Sequence, residues 1–228
     1  MRQAFTTEIR AIEADMETQL GQAVQTLTGL DEVILHPTLW RSQSLAEAGQ
    51  RLRRLSRETH VRLVRLSATQ APVACDLRLV LAMMQLVQHQ GLIANQFMLV
   101  GEQLASIDPG VTDRCGTARQ TAELAVLACA QLRGGVEAFA RRDPDRGEQL
   151  ARSDDRLDRL NREICQAALE KRVGPDHREL AFRHVLIARS LERIGDNAVT
   201  IARLTAELVK ADVHHLAHPN DAPSLTVF

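Results

Sequence analysis

The chain has 228 residues, 45% of them hydrophobic, and a formal net charge of −1. This composition allows a substantial core, and the near-neutral charge excludes the basic field that attracts nucleic acid. Four cysteines lie far apart without a CxxC spacing, so neither a zinc-ligand set nor a disulfide framework is expected, and a reducing, cytosolic setting fits best.

Apolar residues at helical spacing predict three helices in the first half of the chain. We expect them over residues 4–35, 38–67 and 71–104. Gly29 weakens the first helix near its end, and Pro72 suits the first turn of the third helix because its missing N–H would have no partner there. The third helix contains the longest stretch without charge. Its six polar residues would be costly in lipid, so no membrane span is expected.

The second helix carries six arginines: Arg51, Arg53, Arg54, Arg57, Arg62 and Arg65. A solvated surface is the simplest interpretation of such a face. A docking patch for an acidic partner or for the membrane surface is the alternative.

Three more helices are expected over residues 111–140, 143–172 and 176–210. Asp143 is the predicted N-cap of the fifth helix, with Pro144 at its first position. The remainder, residues 211–228, lacks helical periodicity and is expected to be disordered.

The six helices group as two sets of three. Helices two and five match at an offset of 105, which places Leu52 on Leu157, and helices three and six match at an offset of 101, which places Ile93 on Ile194. The sequence therefore predicts an all-α fold of six long helices in two tandem three-helix bundles, with repeats over residues 1–107 and 108–210.

Two pairs of acidic residues stand one helical turn apart in the second repeat. Glu192 and Asp196 share a face of the sixth helix with Gly195 between them, and Asp154 and Asp158 share a face of the fifth helix. Such pairs oppose helix formation unless something offsets the repulsion. If the two helices are antiparallel neighbours, the four carboxylates converge and suit a hard, oxygen-preferring cation.

The alternative for these acids is a set of surface ion pairs with arginines on the same helices. The candidate pairs are Arg189 with Glu192, Arg193 with Asp196, Asp155 with Arg159, and Asp158 with Arg162.

Two stretches resemble the PhoU family of phosphate-signalling regulators. Residues 191–199, LERIGDNAV, resemble the family signature, and residues 72–82, PVACDLRLVLA, resemble the lead-in to the same signature in the family's first repeat. The resemblance implies a cytoplasmic all-α protein, commonly a homodimer, that links the ATPase subunit of a phosphate ABC transporter to a sensor histidine kinase. It also implies negative regulation of phosphate-starvation genes, and membrane association only through partners.

The resemblance further implies a metal site, because family members bind iron or zinc clusters through (Glu/Asp)-x-x-x-Asp pairs. Asp154, Asp158, Glu192 and Asp196 match that pattern in the second repeat, and magnesium or manganese are further candidates. Ser190 and Thr200 depart from the family pattern, which argues against a full multinuclear cluster. The first repeat has no acid at the four equivalent positions, which hold Gly49, Arg53, Gly91 and Asn95, so we predict no metal there.

The neighbouring polar residues of the third helix, His89, Gln90, Asn95 and Gln96, are expected to satisfy one another by hydrogen bonds. A di-iron carboxylate enzyme would need Glu-x-x-His pairs, and none occurs, so a non-enzymatic protein is expected. An accessory protein of a different phosphate transporter, and a helical scaffold whose acidic pairs bind nothing, remain as alternatives.

Overall fold

The computed structural model describes residues 2–108, 116–169 and 175–217. These residues form seven helices and no strand, which confirms the all-α fold class. The helices are α1 (Arg2–Leu27), α2 (Leu30–Leu35), α3 (Leu39–Gln70), α4 (Ala74–Ala105), α5 (Thr117–Arg141), α6 (Arg146–Leu169) and α7 (Pro175–Ala217).

The single helix predicted over residues 4–35 is in fact two, α1 and α2. Gly29 separates them with a φ of 81°, in the left-handed region that a right-handed helix does not contain. Glycine adopts this conformation without the steric cost that a side chain would add. The sequence predicted six long helices, and the described residues form six long helices and one short helix, α2.

Pro72 does not lie in the first turn of a helix, so that prediction is wrong. The residue before a proline is disfavoured in the α region, and Ala71 instead ends α3 in a left-handed conformation, with its N–H bonded to the Ser67 carbonyl at 3.1 Å. Val73 is extended and α4 begins at Ala74.

Asp143 makes hydrogen bonds of the kind that its predicted capping role requires, although α6 begins three residues later, at Arg146. Its Oδ1 accepts hydrogen bonds from the backbone N–H groups of Asp145 and Arg146 at 3.0 and 3.2 Å. Pro144 precedes the helix rather than beginning it, because α6 starts at Arg146.

At the other end of the repeat, α7 continues past the predicted end near residue 210 as far as Ala217. The predictions for residues 109–115, 170–174 and 218–228 lie outside the described residues.

Four helices pack side by side in the order α3, α4, α7, α6, and α1 and α5 cover one face of this layer. Helix α1 packs on α3, where Arg62 binds Glu8 and Asp15 at 3.0 and 2.5 Å, and it reaches α4 through a Gln90–Gln19 hydrogen bond. The hydrogen bond to Asp15 raises the pKa of Arg62.

The contacts within each repeat follow the offsets predicted from the sequence. In the first repeat Ser56 faces Gly91, whose added Cβ would lie 3.1 Å from the Ser56 hydroxyl oxygen. In the second repeat the equivalent residues, Asn161 and Glu192, are joined by a hydrogen bond. The third pair of helices, α1 and α5, was not matched from the sequence. Their buried positions coincide at an offset of 112, which places Ile12 on Leu124.

One hydrophobic core runs through both repeats. Buried side chains from α1 to α7 form one large cluster, beside a small one of Ala138, Leu150, Val199 and Ala202. An apolar stripe of α7 is buried throughout: Leu191, Ile194, Ala198, Ile201 and Leu208. Among the described residues, Cys75, Cys129 and Cys165 are free thiols. Among the described residues, no helix combines the length and the apolar character that crossing a membrane requires.

The polar residues of α4 do not satisfy one another, and that expectation is wrong. His89 Nδ1 lies 2.7 Å from Asn197 Oδ1 on α7, whereas Gln90 donates to Gln19 on α1. Adjacent helical residues point about 100° apart, so these two side chains meet different neighbouring helices.

Candidate metal site

Helices α6 and α7 are antiparallel neighbours, as the predicted site requires. The amide Nδ2 of Asn161 donates to Glu192 Oε2 at 2.7 Å, and a Cβ on Gly195 would lie 3.1 Å from Leu157 Cδ1. Contacts that move backwards along α6 thus move forwards along α7. This register places Asp158 level with Gly195, between Glu192 and Asp196.

The predicted acids lie along the edge where α6 meets α7, outside the buried stripe. The Glu192 side chain is 22% exposed, Asp158 is partly buried and Asp196 is exposed. The backbone of Asp154 belongs to α6, but its side chain lies outside the described part of the structure. Two of the four carboxylates are therefore placed on α7 and one on α6.

The described residues contain one of the predicted ion pairs with arginine, between Arg189 and Glu192. Arg189 lies 3.8 Å from Glu192, but the Arg189 side chain is 64% exposed, and exposed pairs of this kind contribute well under about 1 kcal/mol. The pair predicted between Asp158 and Arg162 is not formed in the described structure. The pair predicted between Asp155 and Arg159 lies outside the described part of the structure, because the Asp155 side chain does.

Asn161 is a residue of this site that the sequence analysis missed. It is 7% exposed, and while its amide nitrogen binds Glu192, its Oδ1 is buried without a hydrogen-bond partner in the described structure. A buried carbonyl oxygen in this state is normally paired, and a cation is one group that satisfies it. The available signal was spacing, since Asn161 follows Asp154 by seven residues and Asp158 by three, on one helix face.

Gly195 allows three helices to meet at the site. A Cβ there would lie 2.8 Å from Gln131 Oε1 on α5, which is closer than real Cβ contacts. The side chain of Gln131 is buried against α7 at the level of the acids. Gly195 therefore lets α5 and α6 approach the backbone that carries Glu192 and Asp196.

The donors at this edge are oxygen atoms, which suits a hard cation rather than a thiolate-binding metal. The side chains that the structure describes include no group of three His, Cys, Asp or Glu residues close enough to hold a metal ion. Asp158, Glu192 and Asp196 thus lie along one edge beside a buried amide oxygen without forming a metal-binding group among themselves, and Asp154, whose side chain is not described, is the predicted fourth acid.

The equivalent edge of the first repeat is built differently. A Cβ on Gly49, which stands where the second repeat has Asp154, would lie 2.7 Å from the Ala94 carbonyl oxygen and 2.9 Å from the Met98 nitrogen. Both atoms belong to the backbone of α4, so no acidic side chain fits at this position. Arg53 stands in the place of Asp158 and is exposed.

The fold and this edge define a class: an all-α protein of two similar three-helix units, with acidic residues on facing helices of the second. Residues 121–205, which span most of that second unit, match the family model of the PhoU domain. The resemblance to the PhoU family noted at residues 191–199 is thereby confirmed.

Relatives of similar length show the same similarity. The chain is 29% identical to the phosphate-specific transport system accessory protein PhoU homolog of Deinococcus radiodurans, over 89% of this chain and 94% of that protein. Two crystal structures show the same fold over 91% of this chain and 96% of theirs. PhoU from Pseudomonas aeruginosa has a TM-score of 0.71 at 24% identity. The phosphate transport system regulatory protein PhoU from Streptococcus pneumoniae has a TM-score of 0.74 at 16% identity.

Proposed function

We propose that this chain is a non-enzymatic regulator of phosphate uptake and phosphate-starvation signalling. The observation that carries the proposal is full-length similarity to a protein named as an accessory of a phosphate-specific transport system, together with the PhoU domain at residues 121–205. In this role the chain acts in the cytoplasm as a homodimer. It contacts the ATPase subunit of a phosphate ABC transporter and a sensor histidine kinase, and reaches the membrane only through them.

Deletion of the gene in its native cell tests the regulatory role. A negative regulator of phosphate-starvation genes should, when lost, leave those genes expressed in phosphate-rich medium, and a plasmid copy should restore repression. Affinity purification of the tagged chain from the same cells should recover the ATPase subunit and the kinase. Normal repression in the deletion strain, or recovery of an unrelated transporter, would contradict the proposal.

The second part of the proposal is a cation site held by Asp154, Asp158, Glu192 and Asp196. It is supported by the antiparallel packing of α6 on α7 and by the buried Oδ1 of Asn161. Iron and zinc are the expected metals from the family resemblance, with magnesium and manganese as alternatives. A bound cation would neutralise the carboxylates and hold α6 and α7 together.

Metal analysis of chain purified without chelator tests this site. We expect bound metal in the wild type and a loss of most of it in Glu192→Gln/Asp196→Asn. Saturating metal should stabilise the wild type by about 2.7 kcal/mol at 100 times the Kd, because it binds only the folded chain, and should not stabilise the variant.

The matched control is Glu163→Gln/Glu207→Gln, which removes two exposed acids of the same helices away from the site. It should keep the metal content of the wild type. Equal metal content in all three proteins would rule out the proposed ligands.

A further inference from the structure

The face of α4 that points away from α1 carries an exposed apolar stripe. Gln90 faces α1, and residues two positions before and after it point about 160° away from that side. Seven positions three or four residues apart follow this outer face: Leu77, Leu81, Met84, Gln88, Leu92, Asn95 and Leu99. The four leucines, here called the α4 ridge, are 37–51% exposed. Exposed apolar side chains grouped along one helix face indicate a contact site.

Arginines of α3 lie along one side of the α4 ridge. Ser56 donates to the Val87 carbonyl at 2.8 Å, and Gly49 packs against Ala94, so Arg53 lies between these contacts, level with Leu92. Arg53 is nine residues before Arg62, which places it half a turn from the side of α3 that binds α1. Arg53 is exposed, and it forms no ion pair in the part of the chain that the structure describes.

Helix α7 contributes a cation and apolar side chains along the other side. Its register on α4 is fixed by the His89–Asn197 contact and by a hydrogen bond from Arg183 to Gln103 at 3.4 Å. Arg193 lies between these contacts, also level with Leu92, and is exposed without an ion pair to any described residue. Beyond it, Leu186 and the 59%-exposed Phe182 extend the apolar surface beside Leu99.

The apolar stripe itself contains no charged residue that could pair with these arginines. Residues 79–101 of α4 contain no Asp, Glu, Lys or Arg. Glu192 of the second repeat points to the other side of α7, where it is bonded to Asn161 of α6. The α4 ridge is therefore an apolar seam with a positive charge on each margin, Arg53 and Arg193, that no described residue pairs.

We propose that the α4 ridge binds an amphipathic helix of a partner protein whose apolar stripe is flanked on both sides by Asp or Glu. Such a helix would lay its apolar side chains on the ridge leucines, place acids against Arg53 and Arg193, and pair its polar groups with Gln88 and Asn95. Helix-in-groove binding of this kind draws its affinity from the apolar anchors and its orientation from the charges.

Two other occupants fit the surface less well. A second copy of the chain in a two-fold contact centred on Leu92 would bring like-charged margins together. A lipid bilayer would take Gln88 and Asn95 into an apolar region that offers them no hydrogen-bond partners.

Two synthetic helical peptides with the same leucine stripe, one with Glu and one with Lys on both margins, test the proposal by fluorescence anisotropy. The wild type should bind the Glu peptide, more weakly at high salt, and should not bind the Lys peptide. Arg53→Glu/Arg193→Glu and Leu92→Gln should each weaken binding at least about 10-fold, since each loses a charge pair or an apolar anchor.

The control is Arg51→Glu/Val126→Gln, which changes an arginine paired with Glu47 and an exposed apolar residue of α5. It should bind the Glu peptide like the wild type.

Equal affinity for both peptides, or unchanged binding in the Arg53 and Arg193 variant, would overturn the proposal. So would a self-association in sedimentation velocity that Leu92→Gln abolishes, or co-sedimentation with phosphatidylcholine–phosphatidylserine vesicles that requires Leu92 while the Glu peptide fails to bind. None of these assays uses a metal, a transporter or a kinase, so this inference and the proposed function can fail independently.

Discussion

At the scale of single residues, Asn161 holds Glu192 in place and leaves one buried oxygen atom without a described partner. Asn161→Leu keeps the approximate volume but removes both roles. We expect the variant to lose about 1 kcal/mol of stability through the lost hydrogen bond, and to bind metal about 10- to 100-fold more weakly because Glu192 is no longer oriented. Calorimetric metal titration and denaturant unfolding measure the two effects.

The comparison for Asn161 is Gln166→Leu, the same kind of change at an exposed amide of α6. Gln166→Leu should leave metal affinity unchanged. If Asn161→Leu loses stability but keeps wild-type metal affinity, Asn161 is only a structural bridge between α6 and α7.

The sequence predicted the charged residues of this site better than the neutral ones. Glu192 and Asp196 stood out because two acids one turn apart are unfavourable in a helix, and Gly195 because an interior glycine is costly. Asn161 carries no such signal, because a single asparagine in an amphipathic helix is unremarkable until the opposing helix is known. Its role depends on the facing residue, Glu192, 31 positions away.

At the scale of the helices, α3 and α4 are held together by backbone contact at small residues. Gly49 faces Ala94, and a Cβ on Gly101 would lie 2.7 Å from the Ser42 carbonyl oxygen. The positions that hold acids in the second repeat hold Gly49 and Gly91 in the first, so close helix packing has replaced a place for ligands. This gives a physical reason to expect that only the second repeat binds metal.

Gly49→Ala tests this packing. Its Cβ would meet backbone atoms of α4, which do not move aside as a side chain would, so we expect a loss of about 1–3 kcal/mol in the free energy of unfolding. Gly21→Ala is the control, because nothing lies within 4 Å of a Cβ at Gly21 in α1. That change should stabilise the chain by up to about 1 kcal/mol. A Gly49→Ala protein as stable as Gly21→Ala would show that the two helices separate easily.

The approximate positions of the long helices were predictable from the sequence, whereas the residues at which several helices begin or end were not. Periodicity located all six long helices, because each buries one stripe. The break at Gly29 and the late start at Ala74 depend on φ angles of single residues, which composition alone does not determine. The match of α1 with α5 was missed because the equivalent positions share burial and not residue type. Large apolar residues on α1, such as Met16, correspond to small ones on α5, such as Ala128.

At the scale of the whole molecule, the two repeats are distinct in sequence but continuous in their packing. Helix α4 of the first repeat packs along α7 of the second, and α1 packs on α5. The same core cluster contains Ile93 and Ile194, which are equivalent residues of the two repeats, and both are 0% exposed. Because neither repeat encloses its own apolar surface, we expect them to unfold together.

Ile194→Ala tests this cooperativity with hydrogen exchange measured peptide by peptide. Removing a fully buried isoleucine should cost about 2–5 kcal/mol. If the repeats form one unfolding unit, slow-exchanging amides of α4 in the first repeat should lose as much protection as those of α5 and α7 in the second. Val126→Ala, at a 52%-exposed position of α5, should change protection little anywhere. Full protection of α4 in Ile194→Ala would contradict this prediction. It would show that the first repeat stays folded after the second opens and the α4–α7 contact is lost.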